Sequence, residues 1–500
     1  MKDLRFRRQF LLANTMVAEL HAWQYHQVGE AHLFIHPDLE VTVTREGPAW
    51  ICLMGYIFDP AHPEKSNHGI ISDIISRISN LRDLFEALKP YAGRYALLYK
   101  DNTAFVIVHD PLGLREIYYC TQPNRMICGS QPNLIDDFSE PKLGVTKNPD
   151  ILHFYNNEMK FVRSGRLWVG DETYYSNIKH LMPNHYLDIR SLTANRYWPN
   201  RRLERINLDT AVKKSCDFLK GTLKAVTSRY DVMMAVTAGY DSRSLLAASK
   251  EINDRIYYFI NKGLPLTDKS ADIRIPREMC KKVNIPFHVH DVDGPVDEEF
   301  RQVFQKNVFM STDLILPTIY NVYFKEHQDK VNLLGVGEIG RDYFGKAPRT
   351  LSGYYLARNL KYKCSKYATA QCEKWLKETR DVAEVNNVDI MKLFLWEGLL
   401  GTWGVVGNSE SDIAIEEFDP CDSHYIYEIM LSVDQAQGDF FEAMFKEMWP
   451  ELLEFPFNPP ETMRDWIRDW LIRRSLFQHL KRWRYRFDHW RCVSTSEKEA

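Results

Sequence analysis

Residues 232–249, Val-Met-Met-Ala-Val-Thr-Ala-Gly-Tyr-Asp-Ser-Arg-Ser-Leu-Leu-Ala-Ala-Ser, constrain the fold more than any other stretch of this chain. The apolar run Val232 to Val236 has strand character, and Arg243 to Lys250 has the Leu and Ala spacing of a helix. Between them, Thr237 to Ser242 is a turn of small and polar residues. A strand that enters a helix through a tight loop presents free backbone N–H groups and the positive end of a helix dipole, which together make an anion site. Gly239 lets backbone approach the anion, and the Thr237 and Ser242 hydroxyls add hydrogen bonds. A phosphate chain is the expected guest. The loop ends in neither Gly-Lys-Ser nor Gly-Lys-Thr and lacks Gly-x-Gly-x-x-Gly, so it is neither a Walker A loop nor a dinucleotide fingerprint.

A chain of 500 residues exceeds one ordinary core of ~150 residues, and two domains are the reading adopted. A formal net charge of -3 with 26% charged residues gives no general pull toward nucleic acid. The nine cysteines are scattered without a Cys-x-x-Cys pair, which predicts a reduced, cytoplasmic chain. Near the N-terminus, Phe10-Leu11-Leu12-Ala13 is too short for a signal peptide, and no run of roughly 18 apolar residues spans a bilayer.

From about Leu33 to Asp137, strand-like runs (Leu39–Thr44, Trp50–Ile57, Tyr95–Tyr99, Ala104–Val108) alternate with turns and with one helical segment, Ile70 to Leu88. This predicts a layered α+β unit. After the loop at Thr237, Arg255–Ile260 reads as a strand, Ser270-Ala271-Asp272 to Val283 as a helix, and Phe287–Val292 as a further strand. That order predicts a doubly wound parallel sheet with ligands at the strand C-termini. His288 and His290 alternate on the last of these strands without a third ligand nearby in sequence, so they read as ordinary strand residues.

The loop resembles the Ser-Gly-Gly-x-Asp-Ser loop of the ATP pyrophosphatases, with Thr237, Ala238, Gly239, Asp241 and Ser242 at the matching positions. Other segments resemble, in order, landmarks of the asparagine synthetases. His109-Asp110-Pro111-Leu112-Gly113-Leu114-Arg115 is similar to their Arg-Asp-Pro-Leu-Gly-x-Arg motif, Cys128-Gly129-Ser130-Gln131 to Ala-Ser-Glu, Leu181-Met182-Pro183-Asn184-His185 to Leu-x-Pro-Gly-His, and Tyr197-Trp198 to Tyr-Trp. Gly337-Glu338 and Phe344-Gly345 match a later glycine-rich segment, with Arg341 where the family has an aspartate. Asp412 to His424 matches a further segment in position only, and Lys481 is a weak counterpart of a lysine used by some relatives.

The resemblance implies an α/β chain. Residues 1–200 would form a layered α+β, Ntn-type glutamine amidotransferase-like domain, and residues 201–500 a parallel-sheet ATP-pyrophosphatase domain with a helical C-terminus. It also implies ATP and Mg²⁺, with Thr237, Ala238, Gly239, Asp241, Ser242 and Gly337 at the nucleotide. Asp241 would hold the metal, Glu338 would orient an amine, and Arg341 would neutralise pyrophosphate charge. One departure is decisive for the N-terminal half. The family's glutaminase nucleophile is a cysteine exposed at the chain start; here residue 2 is Lys2, and the first cysteine, Cys52, falls in a predicted strand. The Gly-Asp pair that grips glutamine is also absent around Ser66–Asp73.

The expected activity is therefore an AMP-forming ligase joining a small-molecule carboxylate to ammonia or an amine. The nitrogen would come free, from a separate glutaminase or from the substrate. Among relatives, those that amidate uronic acids of surface polysaccharides are favoured over asparagine synthesis from aspartate. A non-catalytic nucleotide-binding protein is the rival, supported by Ala238 and Arg341. Basic and aromatic residues interleave from Arg464 to Arg491, a pattern shared by amphipathic packing helices and by membrane-surface or polyanion contacts.

Overall fold

A computed structural model describes residues 4–159, 161–162, 165–263, 265–335, 342–433, 437–463, 465–467 and 470. The fold is α/β: two six-stranded antiparallel sheets and a small two-stranded one in the N-terminal part, then a five-stranded parallel sheet, with helices around them. One six-stranded sheet runs Ile178–His180, Tyr118–Cys120, Ile127–Gly129, Phe10–Ala13, Ala31–Ile35, Gln24–Val28. The other runs Thr193–Arg196, His185–Asp188, Phe105–His109, Ala92–Lys100, Ala49–Phe58, Val41–Glu46.

Alternation along the strands sorts the side chains. Phe10, Leu12, Leu33 and Ile35 of the first sheet bury against Cys52, Met54, Ala96 and Leu98 of the second. The intervening residues Ile51, Leu53, Leu97 and Val106 turn to the other face, where Ile70, Ile71, Ile74 and Leu84 cover them. The covering layer is two helices, Asn67–Ile75 and Leu81–Leu88, where the sequence predicts one. The break comes at a local competitor for helix: Asn80 turns extended and its Oδ1 accepts the Asp83 N–H at 3.1 Å, starting a new helix. The short apolar run at Phe10 is an interior strand.

In the C-terminal part all strand pairs are parallel, in the order His288–Asp291, Ile256–Lys262, Val232–Ala235, Val331–Leu333, Glu416–Phe418. The central strand is apolar throughout because both its faces are covered. Val232 and Met234 pack with Leu245 and Leu246 on one side, and Met233 packs with Phe259, Leu316 and Ile319 on the other. Among the described residues, no helix is long and apolar enough to cross a membrane. The basic and aromatic stretch lies outside the described residues except at 465–467 and 470.

The two parts meet over buried charge. The Arg94 guanidinium, 0% exposed, is bidentate to Asp412 (2.7 and 2.8 Å) and also donates to Glu416 at 2.9 Å. Arg115 donates to Asp412 at 3.2 Å and to both Glu416 oxygens at 3.0 and 3.1 Å. Arg8 lies 3.5 Å from Glu416. Burial alone pushes Glu416 toward its neutral form, but Arg115, Arg94 and Arg8 outweigh it and bring the carboxyl down to about 2. Asp110 accepts the Leu114, Arg115 and Tyr95 N–H groups, and so shapes the turn that delivers Arg115.

Truncating one member of such a network strands its partners without water. Arg94→Ala is expected to lower unfolding free energy by about 3–5 kcal/mol in urea titration. A second prediction concerns Glu410, which accepts the Thr312 N–H at 2.6 Å. Burial is the main cause that raises its carboxyl from 4.5 to about 8. The folded chain thus keeps a proton that the unfolded chain releases, so this group's contribution to stability is complete below about pH 4.5 and is lost as pH rises toward 8. Between about pH 7 and about pH 8.5 the parent's melting temperature should fall more steeply than that of Glu410→Gln.

Candidate functional site

The strand Val232–Ala235 ends at the centre of the parallel sheet, and the helix Tyr240–Ala248 begins five residues later with Gly239 as its N-cap. The helix therefore starts three residues earlier than the sequence predicts and takes Tyr240, Asp241 and Ser242 into its first turn. Their N–H groups have no intrahelical acceptor, and the helix dipole adds positive potential there.

Within the loop the polar groups set one another. The Thr237 N–H donates to Ser242 Oγ at 3.0 Å, the two hydroxyls are 2.8 Å apart, and the Gly239 N–H donates to Thr237 Oγ1 at 3.1 Å. The Ala238 N–H donates to Asp272 Oδ1 at 2.9 Å, and Asp272 opens the helix Ala271–Lys282. The Ala238 methyl is buried with Ala271 and Ile275. Ala238 thus faces the neighbouring helix with both its N–H and its side chain, unlike the nucleotide contact the resemblance implies.

A second strand end closes on the loop. A Cβ on Gly335, just past the strand Val331–Leu333, would stand 3.0 Å from Asp241 Cβ and 3.4 Å from the Ser242 nitrogen. A side chain at this position would force Asp241 to shift, so glycine suits the close approach. Asp419 follows the next strand, and the buried Cys421 thiol is pushed well up by burial and by Asp419, Asp241 and Asp422. Asp241 and Asp419 therefore share one end of the sheet. Gly337, Glu338 and Arg341 lie outside the described residues, as does Lys481.

Arg243, which directly follows Ser242, holds the loop from behind. Its buried guanidinium donates to the carbonyls of Leu452 (3.2 Å), Phe455 (2.8 Å), Pro456 (2.9 Å) and Ala238 (3.3 Å), and lies 3.8 Å from the Phe457 ring centroid. Burial lowers it to about 10. The Asn458 N–H donates to the Ala238 carbonyl at 3.1 Å, and the Tyr240 ring stacks on Phe457 at 4.2 Å. Residues 452–458 are therefore part of the site's wall. Sequence reading missed them because they carry no motif, and it missed Arg243 and Asp272 although one adjoins the loop and the other opens a predicted helix. Arg243→Met should cost roughly 1–3 kcal/mol, the expected scale for leaving buried carbonyls unsatisfied. It should also speed hydrogen exchange at the Asn458 amide.

The N-terminal part offers no activated thiol among the described residues. Cys52, Cys120, Cys128, Cys216, Cys280, Cys372 and Cys421 are free and buried, and burial raises each thiol. Cys364 is disulfide-bonded, which scattered spacing did not predict.

The chain is thus an α/β protein whose parallel sheet ends, at its centre, in a loop that opens a helix. No family model matches the chain, and no curated protein matches it. Solved structures similar to it include the glutamine phosphoribosylpyrophosphate amidotransferase of B. subtilis complexed with ADP and GMP, at 10% identity over 72% of this chain and 73% of that one, TM-score 0.25. A structure described as the allosteric regulatory enzyme of purine biosynthesis matches at 11% identity over 72% of each chain, TM-score 0.25. The NH3-dependent NAD synthetase of Campylobacter jejuni subsp. jejuni NCTC 11168, in complex with the nitrate ion, matches at 14% identity over 38% of this chain and 92% of that one, TM-score 0.21. At these scores the similarities carry no functional argument.

Proposed function

We propose that the chain is an AMP-forming carbon–nitrogen ligase that binds ATP at the loop Thr237–Ser242 and activates a small-molecule carboxylate as its adenylate. The observation that carries this reading is the placement of the loop at the C-terminal edge of the sheet, with Gly335 packed on Asp241. The first-turn amides of the helix at Tyr240 would receive the phosphate chain, with Ser242 and Thr237 as hydroxyl donors. Asp241 and Asp419 offer oxygen donors of the kind Mg²⁺ takes, and the ion would supply neutralisation of phosphate charge. Residues 336–341 follow Gly335 directly in sequence; in this proposal Glu338 orients the amine and Arg341 meets pyrophosphate.

The nitrogen would arrive as ammonia, from a separate glutaminase, or as an amine of the substrate. The buried, raised thiols of Cys52, Cys120 and Cys128 support that part of the reading. A uronic acid is the favoured carboxylate, with aspartate as its competitor. A second reading, nucleotide binding without ligation, is favoured by one observation: the Ala238 N–H is already engaged by Asp272.

The test is product analysis with pure protein, Mg-ATP, ammonium and a panel of aspartate, uronic acids and small-metabolite extract, resolving AMP with pyrophosphate from ADP with phosphate. Substrate-dependent AMP is expected, and Asp241→Ala should lower it at least about a hundredfold, the scale of losing a group that acts on the transition state. Bound nucleotide with no AMP from any panel member would instead establish the second reading.

A further inference from the structure

His288 and His290 sit on the edge strand of the parallel sheet, opposite Phe259 and Asn261 of the neighbouring strand. The helical turns Ile319–Phe324 pack on that face, and the residues that follow them, Glu326 and His327, bring two donors to His290. The His290 ring is held by its far nitrogen: Nε2 meets the Tyr257 hydroxyl at 3.1 Å. Its Nδ1 thereby faces Glu326 Oε2 at 3.7 Å, and His327 Nε2 stands 3.9 Å from the same oxygen. One ligand atom from each of the three residues lies within 4.8 Å of the others. In this way the fold supplies the further ligands that the sequence around His288 and His290 does not show.

His327 makes the arrangement more than an aromatic cluster. It is 8% exposed, and neither ring nitrogen has a hydrogen-bond partner among the described residues. A buried imidazole without partners is costly, and such groups call for an explanation.

We propose that His290, His327 and Glu326 form a binding site for a divalent first-row transition-metal ion of the zinc class. Two imidazoles and one carboxylate suit zinc, in contrast to the oxygen donors at the nucleotide loop, and leave further positions for water. Donors around such an ion stand roughly 3.0–3.4 Å apart, as follows from bonds of about 2.1 Å. Rotation of the exposed Glu326 side chain shortens the 3.7 and 3.9 Å separations toward that spacing. The Tyr257 hydroxyl acts as the outer partner that fixes a ligand histidine's ring. Entry is from solvent, since the Glu326 side chain is 55% exposed. The ion would tie the sheet's edge strand to the end of the helical segment at 319–327.

The full-length chain, freed of metal by chelator dialysis, is titrated with Zn²⁺ against a chromophoric chelator and, separately, with Co²⁺ while its visible absorption is recorded. One equivalent of Zn²⁺ binding at low micromolar concentration or tighter is expected, with a Co²⁺ band typical of a four- or five-coordinate nitrogen and oxygen site. Glu326→Gln and His327→Ala should each weaken binding at least about tenfold and diminish the band. Glu326 is exposed, so its variant folds as the parent does, and Zn²⁺ should raise the melting temperature of the parent but not of the variant. No uptake of Zn²⁺ by the parent at low micromolar concentration, or uptake that both variants leave unchanged, overturns the proposal. Neither ATP nor Mg²⁺ enters the assay, so its outcome is independent of the ligase reading.

Discussion

The structure depends on the contact between Arg94 and Arg115 on one side and Asp412 and Glu416 on the other. These groups have almost no water, and each charge is stable only because the others are present. The consequence is geometric as well as energetic. Arg94 leaves the second antiparallel sheet and Arg115 leaves the turn shaped by Asp110, while Glu416 begins the last strand of the parallel sheet. Three elements far apart in sequence are thereby fixed in register. The Tyr56 hydroxyl, donating to the Glu417 carbonyl at 3.0 Å, extends the same seam.

That seam determines what surrounds the candidate nucleotide loop. The strand Glu416–Phe418 pairs with Val331–Leu333, and these two strands carry Asp419 and Gly335 to the edge where Asp241 stands. From the other direction Arg243 gathers four backbone carbonyls, three of them from residues 452–456. Among the described residues this arginine has no carboxylate partner, an unusual choice for a buried tie. It joins two backbone segments without adding a second carboxylate beside that of Asp272. A further acidic group there would offset the positive potential of the helix N-terminus.

Much of this was legible in the sequence where local pattern and tertiary environment agree. Three strands of the parallel sheet, the helix after the second of them and the loop at Thr237 follow from apolar runs bounded by turn residues, whereas Val331–Leu333 and Glu416–Phe418 are too short to show as strands. The helical stretch at 70–88 was misjudged as one element because its apolar spacing continues across Asn80, whose side chain captures a backbone amide and restarts the helix. The first antiparallel sheet was mostly missed: its strands are as short as Tyr118–Cys120 and Ile127–Gly129, too brief for a period to show. Asp272, Arg243 and residues 452–458 share a further reason. Their roles come from contacts across the fold, and a single sequence carries no trace of such partners.

The same reasoning applies to the residues of the N-terminal part. The residues that carry the resemblance are engaged in the seam. Besides Asp110 and Arg115, Asn184 and Arg196 donate to the buried Glu397 at 2.9 and 2.5 Å, and the Trp198 indole donates to Glu428 at 3.0 Å. Asn184 and Arg196 thus hold a carboxylate that is fully buried, and Trp198 holds one that Arg201 also reaches. The motifs are accounted for by the docking of one half of the chain on the other.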